Sequence, residues 1–322
     1  MGRRGGRRPS AAAVDLSTRV GALRLANPIM TASGTAGHGA ELAGYMDLAG
    51  LGAVVVKSVS AGPWAGNPPP RLAPLESGML NSVGLQNPGV AAWLEEQLPP
   101  LAATGASVVA SIWGFSVEDY RAVAGAIGAA RAASVVAVEA NISCPNVEDR
   151  RRMFAHDPAA AAEVTAAAVE GLAGSGLPLW VKLSPNVTDL TAIAGPVLDA
   201  GAAALTLINT VMGMAIDPAT GRPRLGNGGG GLSGPAIHPV AVRAVFECRA
   251  AFPAAAIIGV GGVSRGVDAA ELLAAGADAV EVGTASFAEP AAAARVLAEL
   301  TEWCRRHGVG KVSDLIGRAH GR

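Results

Sequence analysis

Eight short apolar runs, rich in β-branched residues, recur along the chain: NPIMTAS from Asn27, AVVVKS from Ala53, SVVASIW from Ser107, VVAVEANIS from Val135, PLWVKLS from Pro178, ALTLIN from Ala204, AIIGVGG from Ala256 and DAVEVGT from Asp278. Near-continuous hydrophobicity without alternation is the mark of strands buried on both faces, which occur in parallel sheets covered by helices. Between the runs lie stretches of helical character, such as SVEDYRAVAGAIGAARAA from Ser116, DPAAAAEVTAAAVEGLAGSG from Asp157 and GVDAAELLAAGA from Gly266. Eight strand-helix alternations predict an α/β fold closed as a (β/α)8 TIM barrel, with an open doubly wound sheet as the alternative.

The 322 residues are absorbed by one such barrel with insertions. The expected organisation is a disordered basic tail over 1–13 and a single domain over 14–322. Half of the residues are hydrophobic, enough for a large core, and the net charge of -1 supplies no field for nucleic acid or an anionic membrane. The expected partner is a small molecule or another protein, with no nucleic acid and no membrane. Arg3, Arg4, Arg7 and Arg8 are followed by no apolar run of the length a membrane helix requires. Cys144, Cys248 and Cys304 are too few and scattered for a disulfide framework or a cysteine-ligated cluster, which fits a reducing cytoplasm, and the histidines show no metal-ligand spacing.

Ahead of the first run, VDLSTRVGALRLA reads as an N-terminal β-hairpin around Gly21 that could plug one end of the barrel. Three connections exceed the usual strand-helix length: Ser58 to about Gly89, Ser143 to about Pro158 and Thr210 to about Pro239. Long loops after barrel strands build up the C-terminal face, where barrel enzymes carry their chemistry. GNGGGGLSG, from Gly226, lacks the Gly-Lys-Ser/Thr of a phosphate loop and is expected to be flexible.

Polar residues gather where these strands end: Ser33, Lys57, Asn141, Lys182 and Asn209, with Cys144 just beyond the fourth run. The chain holds three lysines against twenty-two arginines, and two of the three, Lys57 and Lys182, stand at equivalent positions. A compact ammonium suits an anionic substrate or a flavin edge where a planar guanidinium does not fit; the plainer alternative is a pair of lysines capping strand ends in solvent. The last two runs end in Gly261-Gly262 and Gly283-Thr284, where barrels often hold a phosphate, although glycines also serve tight turns. Cys144 lies on a loop, unlike Cys248 and Cys304 on apolar helical faces, and nearby cations would lower a typical thiol pKa of about 8.5 toward that of a usable base. A buried, inert thiol is the alternative.

These residues belong to longer motifs: TASGTAG, VVVKS, NPPPR, MLNSVGLQNPGV, EANISCPN, VKLSPNVTD, LTLINTVMGMAID, GGLSGPAI, IIGVGGV and VEVGTA. From about Val14 to the C-terminus the chain resembles the class 1 dihydroorotate dehydrogenases. GLQNPGV and the stretch from GMAID through GGLSGPA look like subclass 1B, whose catalytic subunit works beside an electron-transfer subunit carrying FAD and a 2Fe-2S cluster and passing electrons to NAD+.

The resemblance implies one FMN per chain, held by Ser33, Lys57, Ser58, Asn141, Lys182, Ile208, Gly234, Gly261, Gly262, Gly283 and Thr284, with its phosphate on the last two glycine motifs. It implies a dihydroorotate site made by Lys57, the loop Asn81, Ser82, Val83, Gly84 and Leu85, and Asn141, Asn146, Asn209 and Thr210. Cys144 would take the C5 proton while hydride passes from C6 to the flavin, yielding orotate for pyrimidine synthesis. The implied assembly is a homodimer core within a heterotetramer. Departures from the family pattern are Ser111, where asparagine is usual, the bulky Trp113, and Arg150, Arg151 and Arg152 in place of a glycine-rich stretch. Other readings are a fumarate-dependent subclass 1A enzyme, a dihydropyrimidine dehydrogenase-like flavoprotein, a lyase or aldolase forming a Schiff base on Lys57 or Lys182, and a non-enzymatic scaffold barrel.

Overall fold

The computed structural model describes residues 13–143 and 153–321. Each of the eight runs contains a strand: β1 (Ile29–Thr31), β2 (Val54–Val55), β3 (Val108–Ile112), β4 (Val135–Asn141), β5 (Leu179–Leu183), β6 (Ala204–Leu207), β7 (Ile257–Val260) and β8 (Ala279–Val282). They form one parallel sheet in the order β1-β8-β7-β6-β5-β4-β3-β2. The sheet closes on itself where Met30 bridges Ala53 in parallel and the Gly52 amide donates to the Ile29 carbonyl at 2.8 Å. Thr31 reinforces this seam, its hydroxyl accepting from the Val55 amide at 2.9 Å and donating to the Val55 carbonyl at 3.2 Å. The fold is therefore the (β/α)8 barrel, and the open doubly wound sheet is ruled out.

Alternation along the strands separates two cores. Outward residues such as Val138, Val181, Leu205 and Val280 pack under the surrounding helices. Inward residues at the N-terminal end, among them Val55, Val109, Ala137, Trp180 and Ile258, form a second cluster with Val20 and Leu25 of the hairpin Thr18–Val20/Leu23–Leu25. The hairpin thus plugs that end of the barrel, and Thr18 Oγ1 ties it down by donating to the Asp278 carbonyl at 2.7 Å.

The helices begin where side chains can satisfy their free amides. Ser116 and Asp119 make a reciprocal capping box on Val117–Ala130, and Asp157 accepts from the Ala160 amide at 2.9 Å at the start of Pro158–Gly171. No helix among the described residues is long and apolar enough to cross a membrane.

The first and third long connections fold against each other. Strands Leu72–Leu75 and Gly78–Asn81 from one join Val211–Gly213 and Gly230–Ser233 from the other in a four-stranded antiparallel sheet beside the C-terminal face. Part of the glycine-rich stretch expected to be flexible is therefore a strand. Its glycines are there for close approach: a Cβ on Gly230 would lie 2.3 Å from the Asn81 carbonyl oxygen, and one on Gly231 would lie 2.0 Å from Thr210 Oγ1. Residues 1–12 of the basic tail expected over 1–13, and Cys144, Asn146, Arg150, Arg151 and Arg152, lie outside the described residues.

Candidate active site

A cleft of about 1060 Å³, counting solvent at its mouth, opens at the C-terminal end of the barrel, ample for a ligand of cofactor size. Its walls bring together Ser33, Lys57, Ser58, Asn141, Lys182, Ile208, Gly234, Gly261, Gly262, Gly283 and Thr284, residues from seven of the eight strand ends and from the Gly230–Ser233 strand. Asn81, Val83, Gly84, Leu85, Asn209 and Thr210 line the same cleft. Ser82 does not; it is buried behind the loop, its hydroxyl accepting from Asn67 Nδ2 at 3.1 Å.

The two lysines are not equivalent. Lys57 follows β2 at the cleft wall and donates to the Gln86 carbonyl at 2.6 Å. Burial, with the nearby Arg71 guanidinium adding to it, lowers its pKa to about 8. Burial and the Lys57 charge also lower His38 to about 4 against the opposing pull of Glu41, so that this imidazole is neutral at pH 7. Lys182 is inside β5, not past its end, and only 4% exposed. Its ammonium donates to Glu281 Oε2 at 3.1 Å and Ser33 Oγ at 3.2 Å, with Glu139 Oε1 at 3.9 Å. Burial alone would depress its pKa, and the two carboxylates outweigh that and raise it. A pair of solvated capping lysines is excluded.

The asparagines are held by one another and by the backbone. Asn209 Nδ2 donates to Asn141 Oδ1 at 3.1 Å, joining the ends of β6 and β4, and the Tyr120 hydroxyl donates to the Asn141 carbonyl at 2.6 Å. Asn186, in the SPN turn after β5, was not singled out from sequence. Its Nδ2 donates to the Thr210 carbonyl at 3.0 Å and its Oδ1 accepts from the Met212 amide at 2.8 Å, pinning the segment that presents Asn209 and Thr210. The motif VKLSPNVTD carried that signal.

The loop Asn81–Leu85 turns through positive φ at Gly84 (72°) and Leu85 (63°). The Trp64 indole N–H donates to the Gly84 carbonyl at 2.9 Å, and its ring meets Trp113 and Phe115 edge to face at 6.1 and 5.0 Å. The bulky Trp113 is thus the buried floor of an aromatic cluster that braces this loop. Ser111 stands behind the cleft, its hydroxyl 2.8 Å from that of Ser58, and so acts on the wall through Ser58.

At the last two strands, glycine is required by space. A Cβ on Gly262 would lie 2.6 Å from His238 Cβ, and one on Gly261 2.7 Å from Ala241 Cβ, both at positive φ. With Gly234, Gly283 and Thr284 they make a cradle of backbone at one end of the cleft, suited to an anion such as a phosphate. The lysines, polar wall and cradle fit a phosphorylated flavin beside a small anionic ring. Leu72, Met79, Ile237 and Phe287 add an apolar side that the sequence reading did not assign.

A (β/α)8 barrel with this cleft on its C-terminal face belongs to the class of barrel enzymes that act on small molecules between strand ends and long loops. The chain matches the family described as dihydroorotate dehydrogenase over residues 15–303 and belongs to that family. It is similar to three proteins named dihydroorotate dehydrogenase B (NAD(+)), catalytic subunit. The one from Geobacter sp. (strain M21) is 46% identical over 303 residues, 94% of this chain and 97% of the relative. The one from Desulforudis audaxviator is 47% identical over 307 residues (95% and 98%), and the one from Geobacillus kaustophilus 46% over 304 residues (94% and 95%).

Proposed function

We propose that the chain is the catalytic subunit of an NAD+-linked dihydroorotate dehydrogenase, oxidising (S)-dihydroorotate to orotate in pyrimidine synthesis with FMN in the cleft. The observation that carries this is the joining, in one cleft of a family member, of the glycine cradle, two differently tuned lysines and the Asn81, Asn141 and Asn209 amides. FMN would be held by the residues from Ser33 to Thr284 named above, its phosphate on Gly261, Gly262, Gly283 and Thr284, and when bound it supplies the acceptor for a hydride. Lys57 offers its ammonium to the substrate carboxylate. The asparagine amides, which both donate and accept, hold the pyrimidinedione edge. The loop Asn81–Leu85, braced by Trp64, closes over the ring and limits water. Cys144 takes the C5 proton.

Electrons leave through a separate subunit carrying FAD and a 2Fe-2S cluster, in a heterotetramer built on a homodimer of this chain; the name of the relatives, a catalytic subunit with NAD(+), supports a further subunit and NAD+ as the acceptor. The enzyme works in the cytoplasm. Anaerobic addition of dihydroorotate to the purified yellow protein tests the proposal: bleaching of the flavin bands is expected, and bands that stay oxidised would refute the substrate. Reoxidation by fumarate without a partner would replace the NAD+-linked reading with the fumarate-linked one.

A further inference from the structure

One level below the cleft, the barrel interior contains charge that neither substrate contact nor proton abstraction uses. Glu139 on β4, Lys182 on β5 and Glu281 on β8 all point inward; both glutamates are fully buried and Lys182 nearly so. Two carboxylates and one ammonium leave an excess negative charge where no water can screen it, an arrangement that normally neutralises itself by holding a proton. The hydrogen bonding points the same way. Glu281 Oε2 accepts from Lys182 at 3.1 Å, whereas Glu281 Oε1 and both oxygens of Glu139 have no donor. Both carboxyl groups approach the same ammonium, Glu281 at 3.1 Å and Glu139 at 3.9 Å, and two carboxyl groups so crowded in a buried site are stable together only if one of them carries a proton.

We propose that Glu139 and Glu281 share one proton, carried on Glu281 Oε1 and donated to Glu139, and that the neutral layer so formed holds Lys182 as a charged donor facing the cleft. Burial first, then the Glu139 carboxylate, pushes the Glu281 carboxyl well above the usual range, with Lys182 opposing. Among the described residues, Glu139 and Lys182 are the charged groups that act on Glu281, and its register partners on the flanking strands, Met30 and Val260, do not titrate. Lys182 also reaches Ser33 on the cleft wall, so its charge is felt by whatever occupies that end of the cleft. Glu139 and Glu281 are thereby positioning residues for Lys182; their effect on a cofactor rests on the flavin assignment above.

Two measurements on the full chain need no flavin. In the infrared spectrum at neutral pH, the carbonyl stretch of a buried protonated carboxyl is expected in the wild type and should vanish in both Glu139→Gln and Glu281→Gln, since either substitution leaves one carboxylate paired with Lys182. A band missing from the wild type, or surviving in either variant, would overturn the shared proton. Thermal melting gives the second. A carboxyl whose pKa is raised by folding stabilises most below its unfolded value and loses that contribution as pH climbs toward the folded one. The melting temperature of Glu281→Gln should therefore gain on the wild type as pH rises from about 5 to about 8, and a gap independent of pH would count against the proposal.

The third measurement, on flavin-loaded protein, reads the consequence. Either single variant keeps a neutral Glu-Lys pair and should leave the flavin midpoint potential unchanged. The double Glu139→Gln, Glu281→Gln variant removes both carboxylates that hold the proton on Lys182, so burial leaves a neutral amine, and the lost positive charge should lower the preference for reduced flavin about tenfold, or about 30 mV for a two-electron couple. An unchanged potential in a folded double variant would remove Lys182 positioning from the proposal. A chain that takes up no FMN would instead refute the flavin assignment, with the first two measurements still deciding the proton.

Discussion

Lys57 Nζ donates to the Gln86 carbonyl oxygen at 2.6 Å, which ties the cleft's most weakly basic amine to the loop that carries Asn81 to Leu85. Because burial and Arg71 hold this lysine near a pKa of about 8, its charge titrates within the working range of an enzyme. The ammonium is present below that pH and lost above it, so KM for the anionic dihydroorotate should rise as pH passes about 8 while FMN content stays constant. Lys57→Met should abolish that dependence and raise KM roughly tenfold to a hundredfold, the size of a lost charged hydrogen bond. Steady-state kinetics from pH 6 to about 9.5 reads both; a flat KM in the wild type would show that Lys57 does not meet the carboxylate.

Trp64 supplies the other restraint on that loop. Trp64→Phe keeps the ring against Trp113 and Phe115 but removes the indole donor to Gly84, a neutral hydrogen bond of about 1 kcal/mol. KM for dihydroorotate should rise about fivefold with the maximal rate of flavin reduction unchanged. Stopped-flow titration separates the two, and a change in the maximal rate alone would mean that the loop does not set affinity.

The barrel was legible because buried parallel strands leave runs too apolar to read otherwise, from NPIMTAS to DAVEVGT. The sheet beside its mouth was not. Its partners come from connections about 150 residues apart, as Asn81 and Gly231 show, and Gly230–Ser233 is chosen for the room it leaves to Asn81 and Thr210, against strand propensity. Lys182 was readable as a cleft residue but not as an interior one. Its Glu139 and Glu281 neighbours each sit in a different apolar run, and only the closed barrel brings their carboxylates to 3.9 and 3.1 Å from its ammonium. Trp113 looked like a departure until its ring contacts with Trp64 and Phe115 showed what it braces.

Gly231→Ala tests that sheet. The added methyl would meet Thr210 Oγ1 at 2.0 Å, and Thr210 lines the cleft next to Asn209. Overpacking of this kind costs about 1–3 kcal/mol, several degrees in Tm for a domain of this size. The same shift should displace Thr210 and weaken orotate binding. Calorimetry and orotate titration together check it: an unchanged Tm would mean the sheet yields freely there, and lowered Tm with intact binding would detach Thr210 from the substrate site.

Cys144 carries the sharpest chemical demand. The C5 proton of dihydroorotate is weakly acidic, so its removal needs a base placed by the protein, and a thiolate beside cations is one that can exist near neutral pH. Cys144→Ala should give a folded, yellow protein that still binds orotate but reduces its flavin with dihydroorotate roughly a hundredfold to ten-thousandfold more slowly, the usual range for a lost general base. Cys144→Ser keeps a smaller oxygen base that is far harder to ionise, and its rate should keep climbing at pH values where the wild type has levelled off. Anaerobic flavin reduction in the three proteins across pH measures this directly. Near-normal reduction in Cys144→Ala would assign the proton to another base, and a serine variant with the wild-type pH profile would show that the group titrating in the reaction is not the residue at 144.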